Sequence, residues 1–395
     1  MRTDWSFDVQ YAFPVLFTRD VFAADNGVLA DLMAPADDLP VARAAVWIDA
    51  AVLAAHPGLT RDIHAWFSAH ASRRIALAAA PEGVDGGEAA KNGLGLVEGI
   101  ARTCVELGLC RHSYVIIIGG GAVLDAVGLA ASLIHRGLRQ IRLPTTTLGQ
   151  CDAGLGVKNA VNLLGIKNLI GTFTPPWAVV DDARFLVSQD DRTWRAGLAE
   201  AVKVAVIKDA GFLDRIEALV PALAARDLAA MEEVVQRSAE LHLQHITTAG
   251  DPFEHGSSRP LDFGHWSAHR LEVLTHHRLQ HGEAVAIGVA LDACYAAAIG
   301  RLEDRDAERI CGVLAGLGFR LWDPCFDLRD ADGRRQVYGG LAQFREHLGG
   351  RLTLAMPAGL GRRADIDSFD EAVCESALER LRRLQRPVSR GGVPA

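Results

Sequence analysis

Short runs of apolar and β-branched residues alternate with longer stretches of helical periodicity through the first half of the chain. Ala44-Ala45-Val46-Trp47-Ile48 predicts a strand ending at Asp49, Arg74 to Ala78 a second, and Tyr114-Val115-Ile116-Ile117-Ile118 a third. Ile141-Arg142-Leu143 and Ala178-Val179-Val180 follow, the last stopping at Asp181-Asp182. Runs that are apolar at every position suit a parallel sheet with helices on both faces. After about Arg184 the texture changes to long segments rich in Ala, Leu, Glu and Arg. A strand signal returns only at Arg351-Leu352-Thr353-Leu354-Ala355. The pattern therefore predicts an α/β domain over residues 1–183 and a mostly α-helical domain over residues 184–395, with a loose tail from Arg386 to Ala395.

Two domains also follow from length, because 395 residues exceed the size at which a single hydrophobic core stops growing. Hydrophobic residues make up 49% and charged residues 23%, the balance of a soluble enzyme. A net charge of −8 argues against a nucleic-acid partner, which needs a basic face. Seven cysteines, an odd number without CxxC pairs, suit reduced thiols in the cytoplasm. Met1 to Ala12 has no basic region followed by an apolar run, so no signal peptide is expected. The most apolar stretch, Tyr114 to Ile134, contains Gly119, Gly120, Gly121 and Asp125. These predict a strand, a turn and a helix, and no membrane span.

That turn, Gly119-Gly120-Gly121-Ala122-Val123-Leu124-Asp125, lets backbone approach a ligand and offers helix N–H groups to phosphate oxygens. Its spacing is not GxGxxG, and a plain tight turn explains it equally well. Histidines are concentrated elsewhere: eight of the fourteen fall between His242 and His281. His265 and His269 are spaced for one helix face, and His281 heads another apolar helix. Glu200 and Lys203 stand in a helix that is otherwise alanine and valine. Glu with two His is a ligand set for catalytic zinc, and unrelated core histidines are the competing reading. His276 and His277 read as solvated residues of a connection. Asp152-Ala153-Gly154-Leu155-Gly156-Val157-Lys158 reads as a loop presenting an acid and an amine.

Taken together, GGGAVLD, PTTTLGQCDAGLGVKNAVNLLGIKNLIG, GLAEAVK, RPLDFGHWSAH and HGEAVAIG resemble the sugar phosphate cyclases, the superfamily of 3-dehydroquinate synthase and 2-epi-5-epi-valiolone synthase. The resemblance runs from about Asp49 to Gly361. It implies an N-terminal nucleotide-binding α/β domain and a helical C-terminal metal-binding domain, with the site in the cleft between them. By it, Glu200, His265 and His281 match ligands of a divalent metal, zinc or cobalt. Asp49, Glu88, Lys91, Gly120, Gly121, Asp125, Thr145 and Thr146 match NAD-binding positions, with Asp152, Lys158 and Lys167 also near the cofactor. Asp152, Lys158, Lys167, Asn168, Lys203, Arg259 and His269 match residues that contact substrate or assist proton transfer. Arg136 matches an arginine that reaches the phosphate of the neighbouring subunit, implying a homodimer, and Asn168 also falls at the phosphate. The implied reaction is a phosphate lyase: transient oxidation by NAD, β-elimination of phosphate, re-reduction, ring opening and an intramolecular aldol.

Four departures from the dehydroquinate synthase pattern bear on the substrate. Gln244 stands where those enzymes have a lysine, and Asp262 where they have Asn. Arg259 is one residue closer to that position, and His347 replaces a phosphate-binding lysine. Asp262 would repel a substrate carboxylate, so these changes point to sedoheptulose 7-phosphate. His269 is kept as in dehydroquinate synthase, which suggests a separate branch with its own product stereochemistry. Dehydroquinate synthase itself and a metal-dependent polyol dehydrogenase are the alternatives.

Overall fold

The computed structural model describes residues 2–36, 39–248, 251–253, 260–347, 350 and 352–385. The chain forms two compact units, Met1–Gly149 with Ala153–Ser188, and Gln150–Asp152 with Gln189–Ala395. The boundary expected between residues 183 and 184 falls at the start of a 3₁₀ turn, Ala183–Ser188, that belongs to the first unit.

The first unit contains β1 (Val15–Thr18), β2 (Ala42–Asp49), β3 (Ile75–Leu77), β4 (Glu82–Val84), β5 (Tyr114–Gly119), β6 (Arg139–Pro144), β7 (Lys158–Leu163), β8 (Ile166–Phe173) and β9 (Ala178–Asp182). Its helices are α1 (Val28–Leu32), α2 (Ala50–Ala55), α3 (Leu59–Ala69), α4 (Gly95–Glu106) and α5 (Gly121–Leu133). Seven strands form a parallel sheet of order β1-β9-β6-β5-β2-β3, with β4 on the same edge of β2 as β3. The five strands expected from apolar runs are all present, because a strand buried on both faces is largely apolar, with Gln140 and Arg142 of β6 the buried polar exceptions. Ala44, Val46, Ile48, Ile116 and Ile118 face Ile63, Trp66 and Phe67 of α3. Ala45, Trp47, Val115 and Ile117 face Val123, Val127 and Ala130 of α5. β1 and β4 are three or four residues long, too short to show a period.

β7 and β8 form an antiparallel hairpin that the chain's pattern does not announce. Its two-residue connection is Leu164-Gly165, with φ of 54° and 75°. Two successive positive φ values are the mark of a type I′ turn, normally signalled by Asn-Gly or Asp-Gly. Leucine in the first position hides it.

The second unit holds α6 (Asp191–Lys208), α7 (Ala210–Ala224), α8 (Leu228–Thr248), α9 (His265–Leu274), α10 (His281–Ala298), α11 (Asp304–Gly316), α12 (Gly339–His347) and α13 (Glu371–Gln385). One hairpin, β10 (Leu354–Pro357) with β11 (Arg363–Ile366), accompanies them. The strand expected over 351–355 thus starts at Leu354, and the tail 386–395 lies outside the described residues. α10 is buried all round from Ala284 to Ala296, as a helix apolar on every face must be. It is the central element of this unit.

Glycines set how closely α10 meets its neighbours. A Cβ on Gly282 would stand 2.4 Å from the Ala196 carbonyl oxygen of α6. On Gly288 it would stand 2.0 Å from the Gly264 carbonyl oxygen, at the start of α9. Gly264 itself has φ of +80° and abuts the Val289 nitrogen. Backbone therefore meets backbone on both sides of α10, which only glycine permits.

Asp181, at the end of β9, is 2% exposed, and neither carboxylate oxygen has a hydrogen-bond partner among the described residues. Burial alone pushes its carboxyl well above the ordinary range. A folded pKa above the unfolded one means that stability is fullest below about pH 4 and declines as pH rises. Asp181→Val should therefore raise the thermal midpoint, by a margin that widens from acid to neutral pH. A parent at least as stable as the variant at neutral pH would show that the carboxylate has a favourable role in the fold.

Candidate active site

Three helices of the second unit bring one carboxylate and two imidazoles together. Asp190 caps α6 by accepting the Thr193 N–H, and Glu200 lies fully buried about one turn into the apolar stretch that begins at Ala196. His265 opens α9, and His281 opens α10 inside a capping box made by Gln280 and Glu283. Donor atoms of Glu200, His265 and His281 lie within 4.8 Å of one another. Nε2 of His265 is 3.6 Å and Nε2 of His281 3.4 Å from the same Glu200 Oε1. These are long for hydrogen bonds. Two donors on a tetrahedral ion with bonds of ~2.0–2.1 Å stand ~3.3 Å apart, so the spacing suits a shared cation. The Glu200 oxygens lack a well-formed hydrogen bond despite complete burial, although Lys203 Nζ stands 2.5 Å from Oε2.

The outer ring nitrogens are held as such a site requires. Nδ1 of His281 is 2.8 Å from Glu272 Oε1, and Nδ1 of His265 is 3.2 Å from the Phe263 carbonyl oxygen. With Nδ1–H donated outward, each Nε2 presents its lone pair inward. Burial pushes Glu200 up, but Lys203, His265 and His281 outweigh it and hold the carboxyl well below the usual range. Burial also disfavours the His281 cation, yet Glu200 and Glu272 raise its pKa to about 10.

Around this cluster, Lys203 is 2% exposed. Burial lowers its pKa, while Glu200, Asp152 and Asp262 overcome that and keep it charged. Asp152 does not sit on an open loop as expected. Gly149–Ala153 is a single π-helical turn, closed by Gly154 N–H donating to the Gly149 carbonyl, and Lys158 begins β7. Close packing causes this, since a Cβ on Gly154 would meet Pro144 at 2.4 Å. The Asp152 carboxylate lies 2.9 Å from Nδ1 of His242. Burial and Glu200 push it up, but His242 and Lys203 bring it down to about 2. His269 is exposed, its ring stacked 6.0 Å from that of His281. Asp262 ends a 3₁₀ turn, Pro260–Asp262. Arg259 and the side chain of His347 lie outside the described residues.

The first unit gathers most of the other expected positions at the carboxyl ends of its strands. Asp49 caps α2 by accepting the Ala51 N–H at 2.9 Å. Gly120 caps α5 with no side chain closing its first turn, and Thr145 donates its N–H to the Gly119 carbonyl. Thr146 Oγ1 accepts the Gly149 N–H at 3.0 Å. Buried Lys91 donates to Asp125 Oδ2 and Asn168 Oδ1, both at 2.5 Å. Asn162 links this network to Glu88 at 2.7 Å, and Lys167 lies 3.8 Å from Glu88. Burial raises Asp125, with Lys91 pulling it back. Arg142, 1% exposed, donates to the carbonyls of Gly154 and Gly156 and to Asn159 Oδ1, and so orders the approach to Lys158. Lys158 is exposed. Arg136 is exposed too, and follows His135 in the left-handed region with φ of 65°.

Residues 81–196 match the 3-dehydroquinate synthase N-terminal family and residues 197–333 the 3-dehydroquinate synthase C-terminal family. The chain belongs to the 3-dehydroquinate synthase-like sugar phosphate cyclases. This cyclase is 34% identical to 2-epi-5-epi-valiolone synthase of Streptomyces glaucescens over 76% of each chain. It is 35% identical to 3-dehydroquinate synthase of Ruegeria sp. (strain TM1040), over 70% of this chain and 74% of that one. Among solved structures, 2-epi-5-epi-valiolone synthase of Streptomyces hygroscopicus subsp. jinggangensis 5008, with NAD+ and Zn2+ bound, superposes with a TM-score of 0.83 at 29% identity, covering 96% of this chain and 99% of that one. The cyclase is accordingly a lyase-type enzyme, and among the described residues no helix is long and apolar enough to cross a membrane.

Sequence reasoning passed over Glu272, His242, Arg142 and Asp292. Glu272 carried a signal, since positions 265, 269 and 272 share one helix face. Asp292 carried another, as the one charged side chain between Ala284 and Ala298 of the cyclase. Its oxygens accept the Gly264 N–H and the Trp266 Nε1–H, and burial pushes its pKa up to about 7. His242 and Arg142 have no such local mark.

The glycine contacts make a direct test of how the three donors are held together. Gly288→Ala should drive α9 and α10 apart, costing roughly 1–3 kcal/mol in chemical denaturation and lowering bound metal. Unchanged stability and metal content would show that the helices need not touch.

Proposed function

We propose that this cyclase converts sedoheptulose 7-phosphate to a C7 cyclitol of the valiolone type, acting in the cytoplasm as a homodimer with NAD and a divalent zinc or cobalt ion. The observation that carries the substrate choice is Asp262, whose charge lies close enough to Lys203 to help hold it protonated. A like charge ~4 Å away costs ~4 kcal/mol at an effective dielectric near 20, so a carboxylated substrate would be disfavoured there. Gln244, exposed on α8, offers no countercharge. The likeness to valiolone synthases supports the same reading.

Glu200, His265 and His281 would hold the metal ion, which supplies Lewis acidity for developing alkoxide and enolate charge. The uncapped first turn of α5, Gly120, Gly121, Thr145, Thr146, Asp49, Glu88 and Lys91 would hold NAD, which supplies reversible hydride acceptance. The chain's own groups then have definite tasks. Lys203, kept as an ammonium by Glu200 and Asp152, stabilises negative charge on bound oxygens. Lys158, Lys167 and Asn168 orient the polyol and its phosphate, while His269 stands exposed beside His281 to exchange a proton at its ring nitrogen. Arg136, exposed on a strained turn, would reach the phosphate of a second subunit.

His269 also favours a second reading, 3-dehydroquinate synthase, whose members are matched at similar identity. Phosphate release should occur from sedoheptulose 7-phosphate with no net NADH. Release from the carboxylated heptulosonate phosphate alone would establish the second reading, and steady NADH production would indicate a polyol dehydrogenase. His265→Ala should abolish stoichiometric zinc binding; a variant that keeps both zinc and activity removes His265 from the ligand set.

A further inference from the structure

Asp292 lies three turns beyond His281 on α10, and it is 1% exposed in a helix otherwise buried by apolar side chains. Its two oxygens are each committed. Oδ2 accepts the backbone N–H of Gly264 at 3.0 Å, and Oδ1 accepts the indole Nε1–H of Trp266 at 2.8 Å. These two residues flank His265. The same segment supplies the Phe263 carbonyl that receives His265 Nδ1 at 3.2 Å. Gly264 is in the left-handed region, φ +80°, and no side chain caps α9 through it. Asp292 is thus the group that satisfies the amide at this strained entry to the helix.

Giving partners to two buried N–H groups is one contribution of the residue to folding. A buried carboxylate facing two neutral donors keeps a desolvation cost that those bonds offset only in part. Its value lies in geometry. Two bonds from one planar carboxylate fix the backbone before His265 and the side chain after it, leaving the imidazole little freedom to swing away from Glu200. Trp266 is further pinned by its edge-on packing against Phe369, with ring centroids 5.1 Å apart.

A reciprocal arrangement results. Glu272 on α9 holds the His281 ring of α10 through Nδ1 at 2.8 Å, and Asp292 on α10 holds the residues that carry His265 on α9. We infer that Asp292 is a positioning residue for the metal site: it clamps Gly264 and Trp266 so that His265 Nε2 is presented to the ion held with Glu200 and His281. The inference rests on the reading of those three residues as metal ligands.

Asp292→Asn keeps the size of the side chain but turns an amide donor toward one of the two N–H groups. In the zinc-loaded full chain, chelator competition should show zinc held roughly tenfold more weakly, the size typical for loss of a group that orients a ligand. The visible absorption of the cobalt-substituted protein should shift as the coordination relaxes. Zinc affinity within twofold of the parent, with an unchanged cobalt spectrum, overturns the inference, even if the thermal midpoint of the metal-free protein falls. Trp266→Phe removes the Nε1–H donor, with part of the indole, and keeps a ring against Phe369, so it serves if Asp292→Asn does not fold. It should weaken zinc several-fold, and unchanged affinity and spectrum again overturn the inference. A parent chain that binds no stoichiometric zinc or cobalt sinks the ligand assignment itself. A parent that binds while the variants match it sinks only the role of Asp292.

Discussion

Taking a carboxylate out of water costs several kcal/mol unless cations or strong donors meet it, and Glu200 is fully buried on a helix lined by alanine and valine. Much of the helical unit answers to that one group. Lys203 reaches it from the next turn of the same helix, and His265 and His281 approach it from two others. The approach is possible only because Gly264, Gly282 and Gly288 let the backbones of α6, α9 and α10 come into contact. A Cβ at any of those points would meet backbone at 2.0–2.7 Å, so the helices would have to move apart.

The charges around Glu200 are balanced as a set. Glu200, Asp152, Glu272 and Asp262 are acidic, while Lys203 and the nearby histidines are basic or can become so. Each carboxylate raises the basicity of its neighbours, which is why His281 is pushed to about 10 and Lys203 stays charged although it is buried. A dication entering this site would displace a proton and meet carboxylates already ionised. The same balance bears on substrate choice, because an anion added beside Asp262 would upset it, whereas neutral hydroxyls would not.

The parallel sheet of the first unit follows a different logic. There the strands are largely apolar on both faces, apart from Gln140 and Arg142 buried within β6, and further polar groups collect at the carboxyl ends with Asp49, Thr145, Thr146 and the Gly119–Gly121 turn. Asp181 is the exception, a carboxylate at a strand end with nothing to meet it among the described residues. Arg142, equally buried, is by contrast fully used in holding the carbonyls that lead to Lys158.

The chain's pattern by itself determined five of the seven sheet strands, the change from α/β to helical texture, and the residue types of the proposed metal site. It could do so because strands buried on both faces and helices buried all round leave an unmistakable apolar record, against which Glu200, Lys203, His265 and His281 stand out. The β7–β8 hairpin left no record, since its turn is Leu164-Gly165, and Asp152 read as a loop residue because packing against Pro144, not propensity, closes its turn. Whether Glu200 meets His265 and His281 was also beyond the sequence, for the three are brought together only by helix crossings. Glu272, His242 and Asp292 have partners 9, 90 and 28 positions away, and what such residues do is decided by which atoms the tertiary fold sets within 3 Å of them.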